Sequence, residues 1–176
     1  ARGRPPFGKE TPVLVFARPL SGGARPEVQA LQLVSADAQV PWSAQAEADV
    51  RAILQAARQP GAAGLMVTGV RDAFHSEGDV PGASESQFFL RTEGGRPISL
   101  VVRRMPDAQP QVLAASGDLV DGAAPVAPQT LLWRALACGL PANLPDAFAG
   151  QAALAADYAL ALGSLGPCGR RLSPPA

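Results

Sequence analysis

The pattern of apolar runs and turn residues fixes both secondary structure and pairing most clearly between Gln87 and Arg104. Two β-rich runs, Phe88–Arg91 and Ile98–Val102, flank Glu93-Gly94-Gly95-Arg96. Adjacent glycines supply the positive φ angles of a tight turn, so this stretch predicts an antiparallel hairpin. Upstream, the continuous apolar run from Pro12 to Ala17 reads as a central strand covered on both faces. The partly alternating Glu27–Val34 reads as a second strand, and Ser21-Gly22-Gly23 between them suits a hairpin connection. Val50, Ile53, Leu54 and Ala57 recur at helical spacing behind Ser43, a fitting N-cap, with Glu47 and Asp49 in the early turns. This amphipathic helix ends before Pro60-Gly61. The glycine-bounded apolar run 64–70 predicts a strand, giving a packed β-α-β passage, and 111–115 predicts a further strand after the hairpin.

Two stretches read as long loops: Arg71 to Ser86, and Gly117 to Pro128. Beyond them, Gln129–Cys138 predicts a helix with Gly139 as its C′ residue and Pro141 as a stop signal. Asp146 is placed to cap a last helix, Ala147 to Leu165, whose apolar residues face almost every direction. The order β-β-α-β-β-β-β-α-α implies an α+β fold. The expected architecture is an antiparallel or mixed sheet of about five or six strands with one helix packed on it and two C-terminal helices. Residues 1–11, with Arg2, Arg4 and Lys9 among prolines and glycine, read as a flexible basic arm. Residues 12–165 read as a single globular domain and 166–176 as a tail.

Composition narrows the function classes. At 47% apolar and 17% charged residues the chain is too hydrophobic for intrinsic disorder. Its 176 residues suffice to bury roughly 70% of the unfolded surface. Fifteen basic and fifteen acidic residues cancel, so no global field draws the chain to nucleic acid or to anionic membranes. No apolar run reaches the roughly 20 residues of a membrane span, so membrane insertion is not expected either. A start at Ala1 is what a cleaved signal peptide leaves, and a trimmed fragment would look the same. Cys138 and Cys168 are the only cysteines. An exported protein would bridge them, whereas a reducing compartment would leave two inert thiols; redox or metal chemistry needs closer spacing or more ligands. The bridged reading places the chain outside the cytoplasm, secreted or periplasmic.

Candidate chemistry gathers at Asp72, His75, Glu77 and Asp79, three carboxylates and the only imidazole within eight residues. Carboxylates with one histidine could hold a metal ion, although the spacing matches no calcium loop and a zinc site would lack nitrogen and sulfur ligands. His75 is also the candidate general base, with Ser76, Ser84, Ser86 or Ser116 as nucleophile and Asp72 or Asp118 to orient the ring. The bland alternative is a solvated acidic loop. Gly-x-Ser-x-Gly, dinucleotide and P-loop signatures, His-Glu-x-x-His and Cys-x-x-Cys are all missing, and no cofactor is implied. Trp42 and Trp133 read as core anchors, and the pairs Arg103-Arg104 and Arg170-Arg171 as solvated surface.

The reading that follows is a non-enzymatic extracytoplasmic binding or protein-interaction domain with a protein or small-molecule ligand. The alternatives are a small hydrolase or metal-dependent enzyme using the loop around His75, and a self-assembling structural subunit using a homo-oligomeric contact.

Overall fold

A computed structural model describes residues 7–8, 10–20, 30–117 and 122–169. They cluster into two compact units, one within residues 1–52 and the other within 53–171.

In the first unit the apolar run beginning at Pro12 changes partners halfway. Strand β1 (Val13–Val15) pairs antiparallel with β4 (Gln39–Pro41), and β2 (Ala17–Pro19) with β3 (Leu31–Leu33). Phe16 joins the two ladders: its N–H donates to Ala38 O at 2.8 Å and its carbonyl accepts from Val34 N at 3.0 Å. The expected central strand is therefore a hinge between two-stranded ribbons. Three-residue ladders cannot cover both faces, and Val15 stays exposed. Of the expected second strand only the part around β3 is described, and the proposed Ser21-Gly22-Gly23 turn lies outside the described residues.

Helix α1 (Ala44–Ala57) starts as its sequence demands: Ala46 N–H donates to Ser43 Oγ at 3.1 Å. Glu47 accepts from Trp42 Nε1 at 2.9 Å and from the Arg51 guanidinium at 2.7 Å. The indole N–H foremost, and then Arg51, hold the Glu47 carboxyl below the usual range. Trp42 is thus an exposed cap on its helix and no core anchor. No residue of α1 is buried, and β4 and β5, the strands before and after it, belong to different sheets, so no β-α-β unit forms.

The second unit is built on a five-stranded antiparallel meander in the order β5 (Val67–Glu77), β6 (Ser84–Thr92), β7 (Ile98–Arg104), β8 (Gln111–Ser116) and β9 (Ala124–Pro125). The β6–β7 hairpin forms where the pattern placed it, closing at Leu90 opposite Ile98. Of its two glycines only Gly95 takes a positive φ, +76°, and its N–H closes the turn on Thr92 O at 3.1 Å. Gly94 serves a different need, because its N–H meets Gly64 O at 2.7 Å and a Cβ there would crowd the Gly64 backbone. The stretch from Arg71 to Ser86 is mostly strand, and only residues 78–83 turn between β5 and β6.

Three helices follow: α2 (Leu131–Gly139), α3 (Asp146–Ala149) and α4 (Ala152–Leu165). Thr130 Oγ1 caps α2 by accepting from Trp133 N at 3.1 Å. Gly139 lies inside α2, where a Cβ would collide with the Val67 carbonyl of β5. Close approach to the sheet, rather than a left-handed cap, explains this glycine. The single long helix expected from Asp146 is broken at Gly150-Gln151, where Gln151 turns extended, and Asp146 opens α3 without capping it. Far from needing cover on most sides, α4 buries one stripe, Leu154, Asp157, Tyr158, Ala161 and Leu165.

That stripe, with Trp133 and Leu136 of α2, packs on the inward residues of the sheet, among them Val70, Phe88, Leu100 and Val102. Trp133 Nε1 donates to Leu165 O at 2.9 Å, and Tyr158 Oη to Pro141 O at 2.6 Å beneath a ring contact with Phe88 at 5.4 Å. The Cys138–Cys168 disulfide, with Cα atoms 4.7 Å apart, ties the end of α2 to the chain just past α4. Among the described residues no helix is long and apolar enough to cross a membrane.

Two expectations follow. Removing the bridge by Cys138→Ala/Cys168→Ala should cost about 3–4 kcal/mol, the loop-closure value for a separation of 30 residues. Urea unfolding of the oxidised protein and the variant checks this, and equal midpoints would contradict it. Tyr158, the only tyrosine, has its phenol pushed up to about 12 by desolvation. Because the folded value is raised, the associated stability is complete below about pH 10 and is lost as pH climbs toward about 12. Tyrosinate absorbance should therefore rise only near pH 12 while the fold persists; titration at the ordinary phenol value in folded protein would refute the burial.

Candidate functional site

Strand register assembles a polar cluster at one end of the inward sheet face. His75 of β5 lies directly opposite Ser86 of β6, Glu77 opposite Ser84, and Ser84 in turn opposite Arg104 of β7. Side chains two apart share a face, so His75, Glu77, Ser86 and Arg104 all stand on the side that α4 covers. Asp157 comes down onto them from α4 and is only 1% exposed.

The connections are specific. Asp157 Oδ2 accepts from Ser86 Oγ at 2.6 Å, and Oδ1 accepts from Arg104 Nε at 2.7 Å and Nη2 at 2.6 Å. Ser86 Oγ and His75 Nδ1 are 2.9 Å apart, and His75 Nε2 is 3.3 Å from Glu77 Oε1. Ser86 has one hydroxyl proton, and it points at the carboxylate. His75 Nδ1 must therefore donate, and Nε2, 3.3 Å from Glu77 Oε1, makes a hydrogen bond there only when it too carries a proton.

The cluster contains the residue types of a nucleophilic triad in another order. A nucleophilic serine hands its proton to the imidazole while the carboxylate orients the far ring nitrogen. Here serine stands between the other two, is completely buried, and has its proton on the carboxylate side. This geometry clamps a helix to a sheet and holds no poised nucleophile. Ser84 borders the cluster, in register with Glu77 and Arg104, and the remaining candidates stand apart. Ser76 is exposed with its hydroxyl on Glu85 O at 3.4 Å, Ser116 ends β8, and Asp118 lies outside the described residues. Asp72 falls on the opposite sheet face, its Oδ1 accepting from Ala73 N at 2.8 Å, and Asp79 is exposed in the turn.

Of Asp72, His75, Glu77 and Asp79, then, only His75 and Glu77 approach each other. Among the described residues no three metal-ligating side chains converge. The sequence reading missed Asp157 and Arg104. Arg103 and Arg104 are not one surface pair: Arg103 pairs with Glu85 at 2.9 Å on one face while Arg104 turns inward on the other. The available signal was a lone carboxylate in the stripe Leu154-x-x-Asp157-Tyr158-x-x-Ala161.

Two further surfaces are notable. On the outer face of β5 and β6, Phe74 is 44% exposed, its ring 5.8 Å from that of Phe89, and the Arg71 guanidinium lies 5.8 Å from the Phe89 centroid. Beside the end of α4, a cleft of about 250 Å³ is bounded by Val112, Val126, Gln129, Trp133 and Ser164. Gln129 carries a φ of +63°, and the Trp133 indole N–H is already engaged by Leu165 O. Comparison with known proteins adds no relative: no family model, no curated protein and no solved structure matches the chain.

The clamp makes an asymmetric prediction. Arg104→Ala strands a fully buried carboxylate and should cost about 3–5 kcal/mol. Asp157→Ala strands an arginine that reaches solvent and should cost less, about 2 kcal/mol for the unmet Ser86 hydroxyl and lost ion pair. Chemical unfolding of both variants tests the order, and a reversal would show that the carboxylate is not the costly partner.

Proposed function

We propose that this chain is a non-enzymatic extracytoplasmic domain that binds an extended segment of a protein partner by strand addition at β5. The carrying observation is the edge of the large sheet. β5 is 11 residues long, β6 pairs with one side of it, and among the described residues no strand pairs with the other. Register shifts between Val67 and Gly69 and between Val70 and Asp72 disturb its first half, and such bulges protect an edge. From Asp72 to Glu77 the register is unbroken. The Ala73 N–H is already taken by Asp72 Oδ1, and the backbone groups of His75 and Glu77 that do not pair with β6 are the ones suited to main-chain pairing with an added strand.

The side chains fit the same use. Phe74 and Phe89 give apolar purchase on the outer face to a residue of the incoming strand. The disulfide supports an oxidising compartment. The proton placement in the His75–Ser86–Asp157 cluster supports a binding role over hydrolysis.

Random linear peptides displayed on phage and selected on the oxidised protein test this reading. A selected peptide should slow hydrogen exchange at alternate amides within residues 72–77, shift the Phe89 resonances, and lose most of its affinity on Phe74→Ser. Binders that map to the cleft beside Trp133, or no binders at all, would contradict it.

A further inference from the structure

We propose that His75 and Glu77 form a proton-operated latch on the end of β5, open when the ring is neutral and closed when it is charged. His75 Nδ1 lies 2.9 Å from Ser86 Oγ, whose own proton is committed to Asp157, so Nδ1 keeps its proton in both states of the ring. Only Nε2 is left to gain one. It lies 3.3 Å from Glu77 Oε1. With the ring neutral, a bare nitrogen faces a carboxylate oxygen and neither donates. With the ring charged, the same contact becomes a charge-assisted hydrogen bond. Glu77 has no other hold, since its side chain is 79% exposed and, among the described residues, makes no other polar contact.

The charged and titratable groups around the ring agree with this. Glu77 comes from β5 itself, and Asp157 comes from α4 with its Oδ2 3.9 Å from Nδ1. Arg104 of β7 shares the face, but its guanidinium is spent on Asp157 at 2.6 Å, and Tyr158 of α4 turns its hydroxyl to Pro141. The one charge near the ring without a counterion is therefore that of Glu77. The ring is 17% exposed, so a proton can reach it from solvent. The consequence falls on the strand end: Glu77 is the last residue of β5, and the next residue, Gly78, donates its N–H to Ala83 O at 2.8 Å across the turn to β6. The charge on His75 thus sets how firmly residues 77–80 are held. The latch lies on the inner face of the sheet and does not depend on strand addition at the edge.

An NMR titration of the oxidised full chain from about pH 8 to about pH 5.5 tests the latch. An imidazole is the side chain that ordinarily changes charge in that window, and His75 is the only one in the chain. On acidification both ring nitrogens should carry protons, and the Nε2 proton should exchange slowly enough to be seen. The Glu77 side-chain couplings should move from averaged toward single-rotamer values, with the docked rotamer gaining about two- to five-fold in population. Amides 77–80 should become better protected over the same range. Glu77→Ala, a change at an exposed site, should keep the Nδ1 proton visible, lose the Nε2 proton to exchange, and abolish the response of the amides. Glu77 couplings that stay averaged while the wild-type ring becomes charged would overturn the latch without recourse to any variant. A ring still neutral at the acid end, or an Nε2 proton equally protected in Glu77→Ala, would overturn it too.

Discussion

Asp157 is an ionisable carboxylate placed in the middle of an apolar helix stripe and removed from water, and the packing of the larger unit turns on satisfying it. An isolated carboxylate in such a place would cost several kcal/mol. Its oxygens are instead met by Ser86 from β6 and the fork of Arg104 from β7, with His75 from β5 behind the serine. The cluster is therefore complete only when three neighbouring strands are in register and α4 is seated on them. Hydrophobic burial supplies most of the attraction between helix and sheet, but it is indifferent to small slides. The ionic cluster selects one position along the strands and one rotation of the helix.

The hairpin at Gly94-Gly95 and the Ser43 cap were legible because both depend on local chemistry, a turn that needs positive φ and a helix end that needs an acceptor. The α+β class was legible for the same reason. Most departures came from tertiary placement. Asp72, His75, Glu77 and Asp79 resemble a polar loop in composition, yet antiparallel pairing turns the first three into alternating strand positions. Gly139 resembles a helix terminator until Val67 is packed against it. Arg103 and Arg104 are adjacent in sequence and on opposite faces of a sheet, a separation that only strand assignment reveals. Ser86 and Asp157, 71 positions apart, meet only through the fold.

The same constraint shapes the functional reading. With its proton committed to Asp157 and its oxygen buried, Ser86 belongs to the scaffold, and the chemistry-bearing residues around His75 hold a sheet end in place. The proposed binding edge lies on β5, whose inner face is packed by α2 and α4. A rigid edge loses little conformational entropy when a second strand is laid along it, which favours binding over an equally exposed but mobile loop.

The most direct measurement is the position of the proton on His75, read from the imidazole ¹⁵N chemical shifts of the neutral ring. The proposed connectivity requires a proton on Nδ1, donated to Ser86 Oγ. A ring protonated on Nε2 alone would mean that Nδ1 accepts from Ser86. The serine would then face a base, and the cluster would have to be regarded as a site of chemistry instead of a clamp.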